Sequence, residues 1–441
     1  MLASALDADP SADAVLLHLG DSGSEPEGRA EALGLPAAVS VLEVGEIGIE
    51  REEISKLGLM YSTQGLAGAM KARLIRFLLA RDQQPVIFVD ADICVYRPMG
   101  WIAARALETP VALLTTHVGR PLLEAERPML SAGVFNSGFL AVPPAGIEFV
   151  DWWCDRTARF SIFRPNRGLL WEQAWLSVAP AFFDVEVLRD PGVNTMAREL
   201  LDQDVEWDSD DLPTLGGQPL TCYHFSGPYD PASPEFILAP AGATEDVVVR
   251  PTGDGFSSLS WLSLHNRPGA TRLSQEYAKR LQENGFGEET PPPVFEAFDD
   301  GRPIHRAMRR AYRTGLMEAE REDGELPPNP FSGEPVEAFL DWLLEVPAEN
   351  EATTGFSRLI DAVYETYEGA PIIFPRVPGP DADPFVEWAE ARLRAERRSL
   401  PERLVPAPVA PGAAVGGRRR GFGLRRGTGP GGRGGPRRSA Q

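Results

Sequence analysis

The chain has 441 residues, 43% hydrophobic and 9% aromatic, enough for a large buried core and for more than one average domain. Its net charge is −21, but nine Arg and no acid lie between Arg403 and Gln441, so the other 34 basic and 64 acidic side chains leave residues 1–402 at −30. A body that acidic repels nucleic acid and anionic membranes, which excludes both as expected partners, and an anionic ligand must be met by a local cation or a metal.

In chain order, short apolar runs predict strands at Ala14–Leu19, Val39–Val44, Val86–Asp90, Val111–Leu114, Val134–Val142, Val185–Leu188 and Thr221–Phe225. Between them Leu66, Met70, Leu74, Phe77 and Leu78 form a helical stripe, and Gly146–Phe160 and Leu169–Val178 also read as helices. Such alternation implies an α/β sandwich with a mostly parallel central sheet and flanking helices. Ligands of such sheets bind at the carboxyl ends of the strands. From about Thr271 the strand signal stops, and Leu273–Asn284, Ile304–Glu322, Val336–Leu344, Phe356–Tyr367 and Pro384–Arg398 read as helices of an accessory region. Phe339/Trp342 and Phe385/Trp388 each place two rings three residues apart on one helix face. The last segment is dense in Gly, Pro and Arg and cannot bury enough apolar surface to fold alone. The expected organisation is a catalytic domain over 1–270, a helical accessory region over 271–400 and a disordered tail over 401–441.

Cys94, Cys154 and Cys222 are far apart with no C-x-x-C pair, which fits a reducing compartment and argues against a structural zinc site. No signal peptide and no bilayer-length apolar run is visible. The expected location is the cytoplasm, with the inner membrane face as a peripheral alternative.

The sharpest chemical signal is Val86-Ile87-Phe88-Val89-Asp90-Ala91-Asp92, an apolar stretch expected to form a buried strand that ends in two carboxylates. Alternate residues of an extended chain point the same way, so Asp90 and Asp92 can face one pocket. There they repel each other unless a cation intervenes, and Mn²⁺ or Mg²⁺ is the natural occupant. Such an ion would neutralise a diphosphate leaving group. A strand that merely ends in a polar turn explains D-x-D alone equally well. Further on, Phe135-Asn136-Ser137-Gly138-Phe139 sets small polar groups inside an apolar strand, where Gly138 admits close approach and Asn136 both donates and accepts. Tyr223-His224-Phe225-Ser226-Gly227 can deliver a nitrogen ligand, although a lone His is more often structural.

The ordered series Asp90-Ala91-Asp92, Phe135-Asn136-Ser137-Gly138, Glu172-Gln173 and His224-Phe225-Ser226-Gly227 resembles GT-A-fold glycosyltransferases, above all glycosyltransferase family 8 and its bacterial relatives. The resemblance covers residues 1 to about 230. It implies a GT-A (Rossmann-like) domain and a retaining transferase that uses a nucleoside diphosphate sugar, a UDP-sugar first among donors. It also implies an acceptor that is a glycan, a lipid or a protein. By the same resemblance Asp90, Asp92 and His224 hold Mn²⁺ or Mg²⁺. Lys71, Asp90, Ala91, Asn136, Ser137, Gly138 and Gly227 meet the donor, and Glu172 and Gln173 flank the reacting carbon. Lys71 is one of only three lysines, which sets it apart from an ordinary solvated cation.

Three features depart from the family pattern. The acid before Gln173 is Glu172 rather than Asp, and Pro228-Tyr229 stand where a Lys continues H-x-x-G. The family's first strand has no counterpart, because Met1–Leu6 resembles the helix that follows it. Two rival readings are a catalytically inactive GT-A-like binding protein and a D-x-D phosphohydrolase. The second leaves Phe135–Gly138 without a role. The basic tail reads as a solvated extension or as a binder of an anionic partner.

Overall fold

The computed structural model describes all residues except 21–23, 117–125, 127–128, 131–132, 202, 240–246, 252–257, 288–292 and 408–441. Most of the expected tail therefore lies outside the described residues.

Helix α1 (Leu2–Ala8) leads into strands β1 (Ala14–His18) and β2 (Val39–Glu43), which pair in parallel. Helices α2 (Arg51–Met60) and α3 (Thr63–Asp82) follow, with Ser62 capping α3 and Gln83 closing it in the left-handed conformation. Then come β3 (Val86–Val89), β4 (Ile93–Val95), α4 (Gly100–Glu108), β5 (Ala112–Thr116), β6 (Phe135–Val142), α5 (Ile147–Phe160), β7 (Val185–Leu188) and β8 (Cys222–His224). The chain is thus a mixed α/β protein.

The main sheet has the order β3-β6-β5-β7. Strand β6 runs antiparallel to both neighbours, whereas β5 and β7 are parallel. Three strands therefore share a direction, but the pairing is not mostly parallel as expected. An antiparallel neighbour can be joined without a crossover helix, so β6 can return beside β5 in the opposite direction. A second correction concerns β3. The β1–β2 pair has no ladder to it, so β3 is a half-buried edge strand, and β6 is the strand buried along its whole length. Strand β4 leaves this sheet and pairs antiparallel with β8, which carries His224 back beside Asp92.

Apart from β8, residues 205–263 hold short antiparallel strands, including Phe236–Leu238 and Ser258–Ser263, that the sequence reading did not predict. The expected helices then appear as α6 (Pro268–Glu283), α7 (Arg306–Glu322), α8 (Val336–Leu344), α9 (Arg358–Thr366) and α10 (Ala382–Ala395). The Phe339/Trp342 and Phe385/Trp388 ring pairs sit 5.9 and 6.1 Å apart within one core. That core is shared with Leu57, Met60, Tyr61, Leu66 and Met70 of the α2–α3 region, so the later helices pack directly on the elements that carry Lys71. Leu404 is buried in the same cluster, and Arg403 pairs with Glu337 and Asp341. Docked chain therefore continues past residue 401. Among the described residues no helix is long and apolar enough to cross a membrane.

Candidate metal centre

The site begins where β3 stops. Asp90 N–H donates to Gly138 O at 2.8 Å, and Ile93 N–H returns to Asp90 O at 3.1 Å. This closes a turn over Asp90-Ala91-Asp92, with Ala91 exposed at its tip. The two carboxylates converge because the chain turns there, and not through the strand alternation that the sequence suggested. From the other side Phe225 N–H donates to Asp92 O at 2.9 Å and fixes the end of β8 against the turn.

Opposite the turn, the β5–β6 ladder slips at Asn136-Ser137-Gly138. Leu114 pairs with Leu140, but Thr115 pairs with Asn136. Such a bulge redirects side chains out of the ladder. It presents buried Asn136 and Ser137 toward the turn, and it leaves Gly138 against Asp90 and His224.

Asp90, Asp92 and His224 each offer a ligand atom, and these atoms all lie within 4.8 Å of one another. His224 Nε2 is 3.0 Å from Asp92 Oδ1. Two oxygen donors and one imidazole nitrogen suit a hard or borderline divalent cation. The donor set therefore fits Mn²⁺ or Mg²⁺ at this place.

Lys71 lies on the other flank. Its Nζ is 2.8 Å from Asp90 Oδ1 and 2.7 Å from Glu172 Oε1, above the Phe88 ring. Burial opposes its charge, but Glu172 and then Asp90 outweigh that and raise its pKa. Burial likewise opposes ionisation of Glu172, yet Lys71 and Ser137 hold its pKa below the usual carboxylate range. Asp90 differs, for burial pushes its pKa up despite Lys71. At Asp92 burial acts in the same direction, but the His224 contact prevails and lowers its pKa. In this arrangement Lys71 neutralises the two carboxylates rather than standing out toward a ligand.

Glu172 and Gln173 do not lie in the middle of a helix over Leu169–Val178. Gly168 and Trp171 have φ values of 72° and 47°, which break such a helix. Instead Leu169–Leu170 pairs with Phe163–Arg164, and Glu172 stands at the start of the short helix Gln173–Leu176. Ser137 Oγ donates to Glu172 Oε1 at 2.6 Å. Gln173 Oε1 accepts from Asn136 Nδ2 and from Ser137 N–H, both at 3.2 Å. Lys71, Asp90, Asp92, Asn136, Ser137, Gly138, Glu172, Gln173 and His224 thus meet in one network. Gly227 stands apart, exposed with φ 95° and packed near Leu238.

Sequence reasoning missed three residues here. Asn194 joins Asn136, Thr115 and His224. Gly68, one helical turn before Lys71, clears space for Glu172, since a Cβ there would lie 2.2 Å from Glu172 Oε2. Arg198 lines a cavity of about 180 Å³ beside His224, together with Met196, Tyr223, Phe225, Tyr229 and Leu238. The only signal in sequence was an Asn beside Val193 in a loop and a Gly inside a helical stripe.

No family model matches the chain. A curated protein of Bacillus subtilis (strain 168), the uncharacterized protein YfnF, is 28% identical over 187 residues, which is 41% of this chain and 62% of the relative. The chain therefore spans about three fifths of that relative's length. Among solved structures it is similar to the galactosyltransferase LgtC in complex with donor and acceptor sugar analogues, at TM-score 0.36 and 15% identity over 52% of this chain and 82% of that one. An active-site mutant of LgtC matches with the same values. Likeness at that level leaves the functional reading to the site's own residues.

Proposed function

We propose that this chain is a metal-dependent glycosyltransferase of the GT-A type that moves a sugar from a nucleoside diphosphate sugar to an acceptor hydroxyl, with retention of anomeric configuration. The observation that carries the reading is the Asp90–Asp92–His224 triad set in one hydrogen-bonded network with Glu172 and Gln173. Mn²⁺ or Mg²⁺ held by the triad would offset the charge of the departing diphosphate. Asp90 and Asp92 would supply oxygen to it and His224 nitrogen. Lys71 and Ser137 hold Glu172 ionised and fixed in orientation. The two bonds accepted by Gln173 Oε1 orient its amide beside that carboxylate. Preorganised polar groups of this kind stabilise positive charge developing on a sugar ring.

Residues 1–270 would form the catalytic unit, 271–400 the helical region packed on it, and the basic tail a separate arm. A UDP-sugar is the first donor to try. In a titration of the wild-type chain with UDP-sugars, Mn²⁺ should strengthen binding, and Asp92→Asn should abolish that gain while leaving the thermal unfolding curve intact. Equal Mn²⁺ dependence in Asp92→Asn would remove the metal assignment. Proton NMR of fresh product from an α-linked donor should show an α linkage, and a β coupling would exclude retention.

A further inference from the structure

The hydrogen-bond network around His224 is anchored by two backbone groups whose donor and acceptor identities are not in doubt. Gly138 N–H donates to the Asn136 side chain at 2.9 Å, so the atom it meets is the oxygen Oδ1. Asn194 approaches that same oxygen at 3.0 Å, and only its NH₂ can do so favourably. The same NH₂ donates to Thr115 Oγ1 at 2.8 Å, while Thr115 Oγ1 donates onward to Phe139 O at 2.9 Å. The other end of the Asn194 amide is therefore oxygen. It lies 2.9 Å from His224 Nδ1, so Nδ1 carries the hydrogen.

Asn194 is itself immobilised. It is buried, adopts φ 56° in the left-handed region that asparagine tolerates, and its N–H meets Cys222 Sγ at 3.2 Å. The adjoining Thr195 accepts the His224 N–H at 2.7 Å, which ties this loop to β8 next to the ring.

We infer that Asn194 is a positioning residue that fixes the ring and the Nδ1–H tautomer of His224, leaving the Nε2 lone pair directed at Asp92 as the ligand atom. When Nε2 is also protonated it donates to Asp92, which is the contact that lowers the Asp92 pKa; the neutral Nδ1–H ring instead turns a lone pair toward that carboxylate, and a cation between them removes the conflict. Partners of this kind on the far nitrogen of a ligating histidine set both its orientation and its basicity. An aspartate at 194 could not substitute, because it would turn oxygen toward Asn136 Oδ1. The inference rests on the metal reading above for its consequence, but the tautomer can be tested without a metal.

The test uses the full-length chain with ¹⁵N-labelled histidine. Five histidines make the ring signals separable. In the Asp92→Ala chain, at about pH 8.5 where an ordinary imidazolium is discharged, the His224 ring should be protonated at Nδ1. In Asp92→Ala/Asn194→Ala that preference should be lost. In the otherwise wild-type chain, Asn194→Ala should weaken Mn²⁺ binding by about 10–100-fold. A His224 ring protonated at Nε2 in the Asp92→Ala chain overturns the inference, as does Mn²⁺ affinity within twofold of wild type in Asn194→Ala. If Asn194→Ala does not fold, the ring signal of the Asp92→Ala chain still decides. A wild-type chain that takes up no Mn²⁺ would remove the proposed metal chemistry, while an Nδ1–H ring would still uphold the tautomer.

Discussion

Gly138→Ala is the substitution that most directly probes how closely the metal centre is built around its backbone. An ideal Cβ at this position would lie 2.5 Å from His224 Cε1, 2.8 Å from Asn136 Oδ1 and 2.9 Å from Asp90 Oδ2. Carbon atoms in favourable contact are about 3.5–4.0 Å apart, so the ring must retreat by roughly 1 Å. The glycine cannot yield instead, because its carbonyl accepts from Asp90 N–H and its N–H donates to Asn136 Oδ1. Nor can the ring move freely, being held through Nδ1 by Asn194. Overpacking of this sort costs about 1–3 kcal/mol, which leaves the chain folded. Metal-ligand distances tolerate only about 0.2 Å, so the larger loss falls on the triad. Calorimetric titration should show Mn²⁺ affinity reduced more than tenfold, with a melting temperature lowered by only a few degrees. Unchanged Mn²⁺ affinity in a folded Gly138→Ala chain would refute the placement of the ion among Asp90, Asp92 and His224.

Gly68→Ala separates the carboxylate from the metal: its Cβ would meet Glu172 Oε2 at 2.2 Å and displace that side chain from Lys71 and Ser137. Sugar transfer should fall at least tenfold while Mn²⁺ binding holds, and parallel losses of both would show that Glu172 is not independent of the triad. The second concerns acid stability through Glu396, where burial opposes ionisation but Tyr367, His305, Arg306 and Arg392 bring the pKa down to about 2. Because the folded-state value lies below the unfolded one, this stabilisation is complete above about pH 4.5 and is lost as the pH falls toward 2. After discounting for solvent screening it is about 1–2 kcal/mol. The melting-temperature gap between wild type and Glu396→Gln should therefore narrow between about pH 5 and pH 3, and a constant gap would assign the effect to packing.

What the sequence made legible followed from local chemistry. Asp90 and Asp92 after an apolar run, Asn136 and Gly138 inside another, and His224 at the end of a third are each readable within a few residues. They do converge in space. The helices after residue 270 were legible for the same reason, since their apolar spacing is a property of each segment alone. The details that failed were those decided by partners distant in the chain. β3 reads as a buried strand by composition, yet it lies half-buried at the sheet edge because β1–β2 pairs apart from it. The Leu169–Val178 helix was lost to Gly168 and Trp171, whose left-handed backbone only the hairpin with Phe163–Arg164 explains.

Asn194 and Gly68 make the same point more sharply, because both look unfavourable or neutral locally. An asparagine in a loop reads as a turn residue, and a glycine inside a helix costs about 1 kcal/mol against alanine. Each gains its meaning from one contact, Asn194 with the His224 ring and Gly68 with the Glu172 carboxylate. These contacts join segments 30 and about 100 positions apart, so no periodicity or motif spacing could reveal them. Residues that supply chemistry are recognisable by type, whereas residues that orient them are recognisable only by position in the folded chain. If that division holds, Asn194→Ala and Gly68→Ala will impair different functions of one site, metal affinity and transfer respectively.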